Sequence, residues 1–209
     1  PRGSAMKYVD SIDILESKRI RKRVKSIQLK DLTVLVGLNG TGKTTLFKTI
    51  ENMVLSKNGG LYLQKPTETK IRMNYTDAMK KGETLLYSLS YRDMVNPKHD
   101  LSMYEEYEIG VQDVLGNSQS TGERMKWLLG GVKDIAGVVL IDEMDASFDW
   151  AEEKWYFDFL SSCLERTQII VATHSPIFAA LAKDVFDMTT GKWTTYTRLG
   201  KKYGLQEIV

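Results

Sequence analysis

Cysteine is nearly missing from the 209 residues: Cys163 stands alone, which rules out an internal disulfide framework. No apolar run approaches the ~18 to 20 residues that a membrane-spanning helix needs, so the 42% hydrophobic content points to a buried core. Internal repeats, low-complexity tracts and Pro-rich linkers are absent as well, and the four prolines do not divide the chain. Length then bounds it to one domain, or one core with a smaller lobe. Strong net charge is also lacking. The balance of 29 Lys and Arg against 27 Asp and Glu leaves +2, so overall electrostatics announce no polyanion partner. No secretory signal follows Met6, and a reducing, cytoplasmic setting without membrane insertion is expected. Residues 1–5, PRGSA, read as the remnant of a cleavable expression tag.

What is present is concentrated first in residues 34–45, VLVGLNGTGKTT. A short apolar strand ends at Gly37, and the pattern G-x-x-x-x-G-K-T is completed by Gly42, Lys43 and Thr44 before a helical run. Such a loop turns successive backbone N–H groups inward around phosphates, at the positive end of the following helix. Lys43 is placed to reach the β and γ phosphates, and Thr44 to bring a hydroxyl to Mg²⁺. Upstream, strand-type runs at 12–15 and 24–29 flank a basic turn holding Lys18, Arg19, Arg21, Lys22, Arg23 and Lys25. That turn is either a solvated face or a contact for nucleic acid or phosphate.

After the loop, residues 46–55 read as a helix stopped at 58–60, and 61–63 as a short strand. The interval 64–81 is polar and carries no clear period, and 82–116 reads as a mostly helical lobe. Residues 137–141 form a continuous apolar run, as a central parallel strand covered on both faces should. A helix is expected over 150–164, a buried strand over 167–173, and a helix over 176–182 opened by Pro176. Two strands turning at Thr190 and Gly191 are expected over 185–198.

The run at 137–141 ends in Asp142 and Glu143, two carboxylates that are costly at a strand end without a cation. Asp142 would orient Mg²⁺, and Glu143, one residue further out, would polarise a water for in-line attack on the γ phosphate. Asp145 to Asp149, DASFD, follow at once. Upstream, Gln119 to Glu123, QSTGE, offer a hydroxyl and small residues at a helix start, either an ordinary capping turn or an anion site. One chain has little use for a second such terminus, so it would cap the nucleotide of another subunit.

The order of these elements resembles the ATP-binding-cassette (ABC) superfamily from about residue 29 to residue 174. GLNGTGKTT resembles its Walker A, VVLIDE its Walker B, QSTGE stands in place of its signature, DASFD resembles its D-loop, and VATHSP supplies a switch histidine, His174. The resemblance implies an α/β fold: a P-loop NTPase core of ABC type, with a mainly parallel sheet flanked by helices, an N-terminal antiparallel β portion and a small, mostly helical lobe. The core would take 6–65 and 132–209, and the lobe 66–131. It further implies a homodimer that sandwiches two ATP molecules with Mg²⁺ and hydrolyses them. Asn39, Gly40, Thr41, Gly42, Lys43, Thr44 and Thr45 of one copy would face Ser120, Gly122 and Glu123 of the other, with Asp149 coupling the two sites. Glu143, His174 and Lys43 would be catalytic, and Thr44, Asp142 and a Q-loop glutamine, Gln64, would serve the metal.

The signature departs from the family, with Gln119 and Thr121 in place of a leucine and a glycine, and Glu123 in place of glutamine. In this the chain is more similar to the heads of SMC and recombination-repair ATPases and their phage and defence relatives. That similarity implies a role in DNA repair, DNA metabolism or phage-linked defence, with DNA and a nuclease or other effector subunit as possible partners. Only about 75 residues separate Walker A from the signature, too few for a long coiled-coil arm, and heptads are absent there. The alternatives are the ATPase subunit of an ABC transporter and a regulatory switch that binds ATP and barely hydrolyses it.

Overall fold

A computed structural model describes residues 7–57, 68–77, 85–90, 126 and 129–204. In chain order the elements are β1 (Val9–Ser17), β2 (Ser26–Gln28), β3 (Leu32–Val36), α1 (Lys43–Lys57), β4 (Thr69–Tyr75), β5 (Leu85–Ser90), β6 (Gly137–Asp142), α2 (Trp150–Cys163), β7 (Thr167–Ala172), α3 (Pro176–Ala182), β8 (Asp184–Asp187), β9 (Lys192–Thr195) and α4 (Tyr196–Tyr203). They build two sheets. A three-stranded sheet has the order β2-β1-β4, and a six-stranded one the order β5-β6-β7-β3-β8-β9. The first is antiparallel, and in the second β9 alone runs against its neighbour. This is the mixed α/β architecture expected, with a parallel-dominated sheet and an N-terminal antiparallel portion.

Every residue of β6 and β7 is buried, and the reason is a period of two. Val138 and Leu140 of β6 pack on one face with Leu46, Phe47 and Ile50 of α1 and with Ile12, Ile27 and Met73 of the antiparallel sheet. Val139 and Ile141 pack on the other with Tyr156 and Leu160 of α2 and Phe178 of α3. Strands sandwiched in this way have no solvent face, so 138–141 and 169–172 read as continuous apolar runs.

Local chemistry fixes the helix starts. Asp149 caps α2 by accepting from Ala151 N–H (2.9 Å) and Glu152 N–H (2.8 Å), and Glu152 accepts in return from Asp149 N–H. Ser175 caps α3 ahead of Pro176 at its first turn. Thr195 caps α4, which stops at the left-handed Gly204.

Two strands lie where the sequence reading placed none. β4 lies in the interval that showed no clear period, yet Thr69, Ile71 and Met73 are buried while Lys70 and Arg72 are exposed. The alternation is genuine but has two large apolar residues, and pairing with β1 over seven residues decides it. β5 falls where a mostly helical lobe was expected, and pairs in parallel with β6 from Leu85 opposite Gly137 to Ser90 opposite Asp142. A short apolar run such as LLYSLS fits a helix or a strand until a partner strand is available. The end of the chain differs too: the hairpin turns at Thr190 and Gly191 as expected, but its second strand stops at Thr195, where α4 begins. The expected helix stop at 58–60, the strand at 61–63 and residues 91–125 of the lobe lie outside the described residues.

The two sheets are fastened by Gln168 of β7, which is fully buried. Its side-chain oxygen accepts from Tyr8 N–H (2.9 Å) and Val9 N–H (2.8 Å), and its amide donates to Val9 O (2.8 Å) and Lys30 O (3.2 Å). Gln168→Leu keeps the volume and strands several buried backbone groups. We expect it to lower unfolding free energy by roughly 2–4 kcal/mol in urea titration, because each buried polar group left unpaired costs ~1–3 kcal/mol. A change under about 0.5 kcal/mol would contradict this account of how the sheets are joined.

Candidate active site

Three adjacent strands deliver the site at their carboxyl ends. β3 pairs in parallel with β7, and β7 with β6, so that Leu35 lies beside Ala172 and Ala172 beside Asp142. The chain therefore leaves β3 into the phosphate loop, β6 into Asp142 and Glu143, and β7 into Thr173 and His174, side by side. Such an edge of an open α/β sheet is where ligands bind. The cleft there has a volume of about 350 Å³ and is lined by the loop from Asn39 to Thr45 together with Glu143 and His174.

The loop's shape depends on glycine at Gly42. Its φ is +97°, and a Cβ there would stand 2.8 Å from the Cα of Ile20 and 3.0 Å from the carbonyl oxygen of Arg19. The basic turn between β1 and β2 thus packs directly against the start of α1, a contact that no local pattern in the chain announces. α1 itself begins at Lys43, so the N–H groups of its first turn point into the cleft with the positive end of its dipole.

Lys43 is 5% exposed, and its ammonium donates to Gly37 O at 3.0 Å and meets Nε2 of His174 at 2.9 Å. Burial pulls its pKa down, opposed by the negative charges of Glu143, Asp142 and Asp145. The pKa of His174 is likewise lowered, by burial first and then by Lys43, with Glu143 acting in the opposite direction. The ring is therefore neutral near pH 7, and its Nε2 accepts from Lys43. Glu143 Oε1 lies 3.3 Å from the same nitrogen, as an electrostatic neighbour of the pair.

Glu143 is the one described non-glycine residue besides Lys183 with positive φ, at 58°. Its N–H continues the ladder to Ala172 O (2.9 Å), and the left-handed turn that follows breaks the strand so that Glu143 lines the cleft. Backbone strain of this kind costs about 1–3 kcal/mol and collects at functional positions. Behind it Asp145 is buried and hydrogen-bonded to Thr173, and burial raises its carboxyl pKa against that bond.

The structure thus brings together Asn39, Gly40, Thr41, Gly42, Lys43, Thr44, Thr45, Glu143 and His174. Asp142 is buried at the end of β6, beside this group. Asp149 is exposed and does not line the cleft of the single chain; its carboxylate caps α2. Gln64, Ser120, Gly122 and Glu123 lie outside the described residues. The donor set suits Mg²⁺, a hard cation that takes few carboxylates alongside substrate phosphates, and Thr44 and Asp142 are the residues that could hold it. Sequence reasoning missed the grip of Asp145 on Thr173, since neither residue type nor spacing predicts which turn a buried hydroxyl will meet.

Comparisons with known proteins agree with this geometry. The chain is similar in structure to CbiO1 from Clostridium perfringens, described as part of the ABC transporter complex CbiONQ. The identity is 18%, the TM-score 0.56, and the match covers 96% of this chain and 93% of that one. It is also similar to a bacterial Atm1-family ABC exporter with ATP bound, at 14% identity and a TM-score of 0.55; this chain, 98% covered, spans 42% of the exporter's length. No curated protein matches it by sequence. The profile of the ABC transporter family matches residues 24–144, more than half of the chain and including both the phosphate loop and Glu143. The chain belongs to the ABC transporter family and is an ATP-hydrolysing ATPase of that family.

Proposed function

We propose that two copies of this ATPase close around two ATP molecules, and that closing and reopening drive a separate partner protein. The observation that carries the reading is a site that the described residues line from one side only. Loop, glutamate and histidine line an open cleft from one side, while Leu38, Asn39 and Gly40 remain exposed at its rim. Large apolar side chains flank positions of the site in the chain: Leu38 (51% exposed) precedes Asn39, Trp150 (74%) follows Asp149, and Ile177 (39%) comes three residues after His174. A second copy supplying Ser120, Gly122 and Glu123 would cover them.

In the closed pair the loop's N–H groups bind the phosphates. Lys43 exchanges Gly37 O and His174 for the β and γ oxygens, which frees Nε2 of His174; once the ring's proton moves from Nδ1 to that nitrogen, Nε2 can donate to the γ phosphate. Glu143 orients the attacking water and draws on its proton. Mg²⁺, held by Thr44 and Asp142 with Gln64 as a further candidate ligand, would neutralise charge on the transferred phosphoryl group. Asp149, at the start of α2, would relay closure between the sites.

The family match and both structural neighbours favour a transporter partner over the DNA-directed role implied by the signature variant. One observation sustains the second reading: Lys18, Arg19, Arg21, Lys22, Arg23 and Lys25 are all exposed on the turn beside the phosphate loop. ATP turnover per chain, measured over a range of protein concentrations, tests the dimer. It should rise steeply with concentration and then level off, whereas a constant value down to the nanomolar range would oppose the reading. Duplex DNA should leave turnover unchanged if the partner is a transporter. Salt-dependent DNA stimulation that is lost on changing Arg21, Lys22 and Arg23 to Glu would favour the second reading.

A further inference from the structure

His174 sits on a short connection between β7 and α3, flanked by two hydroxyl residues, Thr173 and Ser175. Both hydroxyls are engaged in hydrogen bonds. Thr173, fully buried, donates its Oγ1 proton to Asp145 and accepts on the same oxygen from Ser175 N–H at 2.8 Å. Ser175 donates to Glu153 and accepts from Ile177 N–H and Phe178 N–H, both at 3.1 Å. Asp145 and Glu153 are 6% and 7% exposed.

Capping α3 requires the Ser175 hydroxyl alone. It does not require two carboxylates to be taken out of water, which is unfavourable wherever a neutral residue would serve. Both carboxylates come from one stretch of chain: Asp145 from the 3-10 turn Met144–Ser147, directly after Glu143, and Glu153 from the first turn of α2. That stretch therefore holds the connection at the residue before His174 and at the residue after it. The two anchors hold the backbone on either side of His174, whose imidazole stands 2.9 Å from Lys43 Nζ and 3.3 Å from Glu143 Oε1.

We propose that Asp145 and Glu153 are positioning residues for ATP hydrolysis, which hold His174 in register with Glu143 by gripping Thr173 and Ser175. The proposal rests on the reading of His174 as a group that serves the γ phosphate. Neither carboxylate touches the nucleotide, so their loss acts through the histidine. Because Glu143 and Asp149 bracket Asp145 in the chain, any shift of the turn on closure is passed to His174 through the same two hydroxyl contacts.

The test is steady-state ATP hydrolysis by the full chain, with kcat and KM separated and folding checked by urea titration. Thr173→Val, isosteric but without the hydroxyl, should lower kcat by roughly ten- to a hundredfold, the loss expected from a misplaced group, while KM changes little. Thr173→Ser should restore most of it. Asp145→Ala breaks the same contact from the other side and should match Thr173→Val. Asp145→Asn, which keeps an acceptor oxygen, should lose less than Asp145→Ala. If either severing variant unfolds, the other carries the test. Thr173→Val combined with His174→Ala should be no slower than His174→Ala alone, since a positioning residue has nothing left to position. A slow His174→Ala beside a Thr173→Val of unchanged kcat would overturn the proposal alone, as would losses that multiply in the double variant. An unchanged kcat in His174→Ala would overturn the reading of His174 and the proposal with it.

Discussion

Glu143→Gln is expected to cut ATP turnover by roughly 10²- to 10⁴-fold, the contribution of a positioned general base, without weakening ATP binding. The amide has the shape of the carboxylate and can keep its place in the left-handed turn after β6, so the cleft should retain its form. What it loses is the ability to draw a proton from the attacking water. It also loses a negative charge beside the triphosphate, in a site where Lys43 is buried and His174 is neutral. ATP should therefore bind at least as tightly as to the wild type, and the pre-hydrolysis state should accumulate. Turnover within about threefold of wild type would mean that another group activates the water.

The second large effect is expected from Gly42→Ala. At φ +97° any L side chain is strained, and here the added methyl would also meet the backbone of Ile20 at 2.8 Å. Backbone atoms cannot swing aside as a flexible side chain can, so the basic turn, the loop or both must move. A strain of about 1–3 kcal/mol is spread over the segment whose N–H groups form the phosphate cradle, and each 1.4 kcal/mol lost from binding is tenfold in affinity. ATP affinity should fall by about tenfold or more, measured by calorimetry, with a lowered melting temperature. Gly40→Ala is the contrast. It shares a positive φ, +74°, but has nothing within 4 Å of the added atom, so the loss should be smaller. Equal losses at both positions would show that the contact with Ile20 does not matter.

These residues also mark how far the sequence could be read. Gly42, Lys43 and Thr44 were legible because phosphate binding tolerates few substitutes at fixed spacing. Asp142 and Glu143 were legible because they end an apolar run that only a strand buried on both faces explains. α3 was read to the residue, helped by Pro176 after a capping serine. β4 was a missed signal, since Lys70, Arg72 and Asn74 alternate with Ile71, Met73 and Tyr75 as a half-buried strand should, and β5 was hidden because six apolar and small residues are ambiguous without a neighbour. Gln168 was a missed signal: a glutamine inside the run TQIIVA must find buried partners, and the sequence gives the need without the address. The same holds for Ile20 under Gly42 and for the grip on Thr173 and Ser175, contacts between segments far apart in the chain. No local pattern encodes them. Gln64, Ser120, Gly122 and Glu123 remain proposals drawn from resemblance.

The most direct measurement is the molar mass of the Glu143→Gln protein in solution, by light scattering, with and without ATP and Mg²⁺. The account predicts the 23.8 kDa of one chain without nucleotide and twice that mass with it, reverting when Lys43 is also changed to Ala. A protein that binds ATP to saturation and keeps the mass of one chain at every concentration would contradict it.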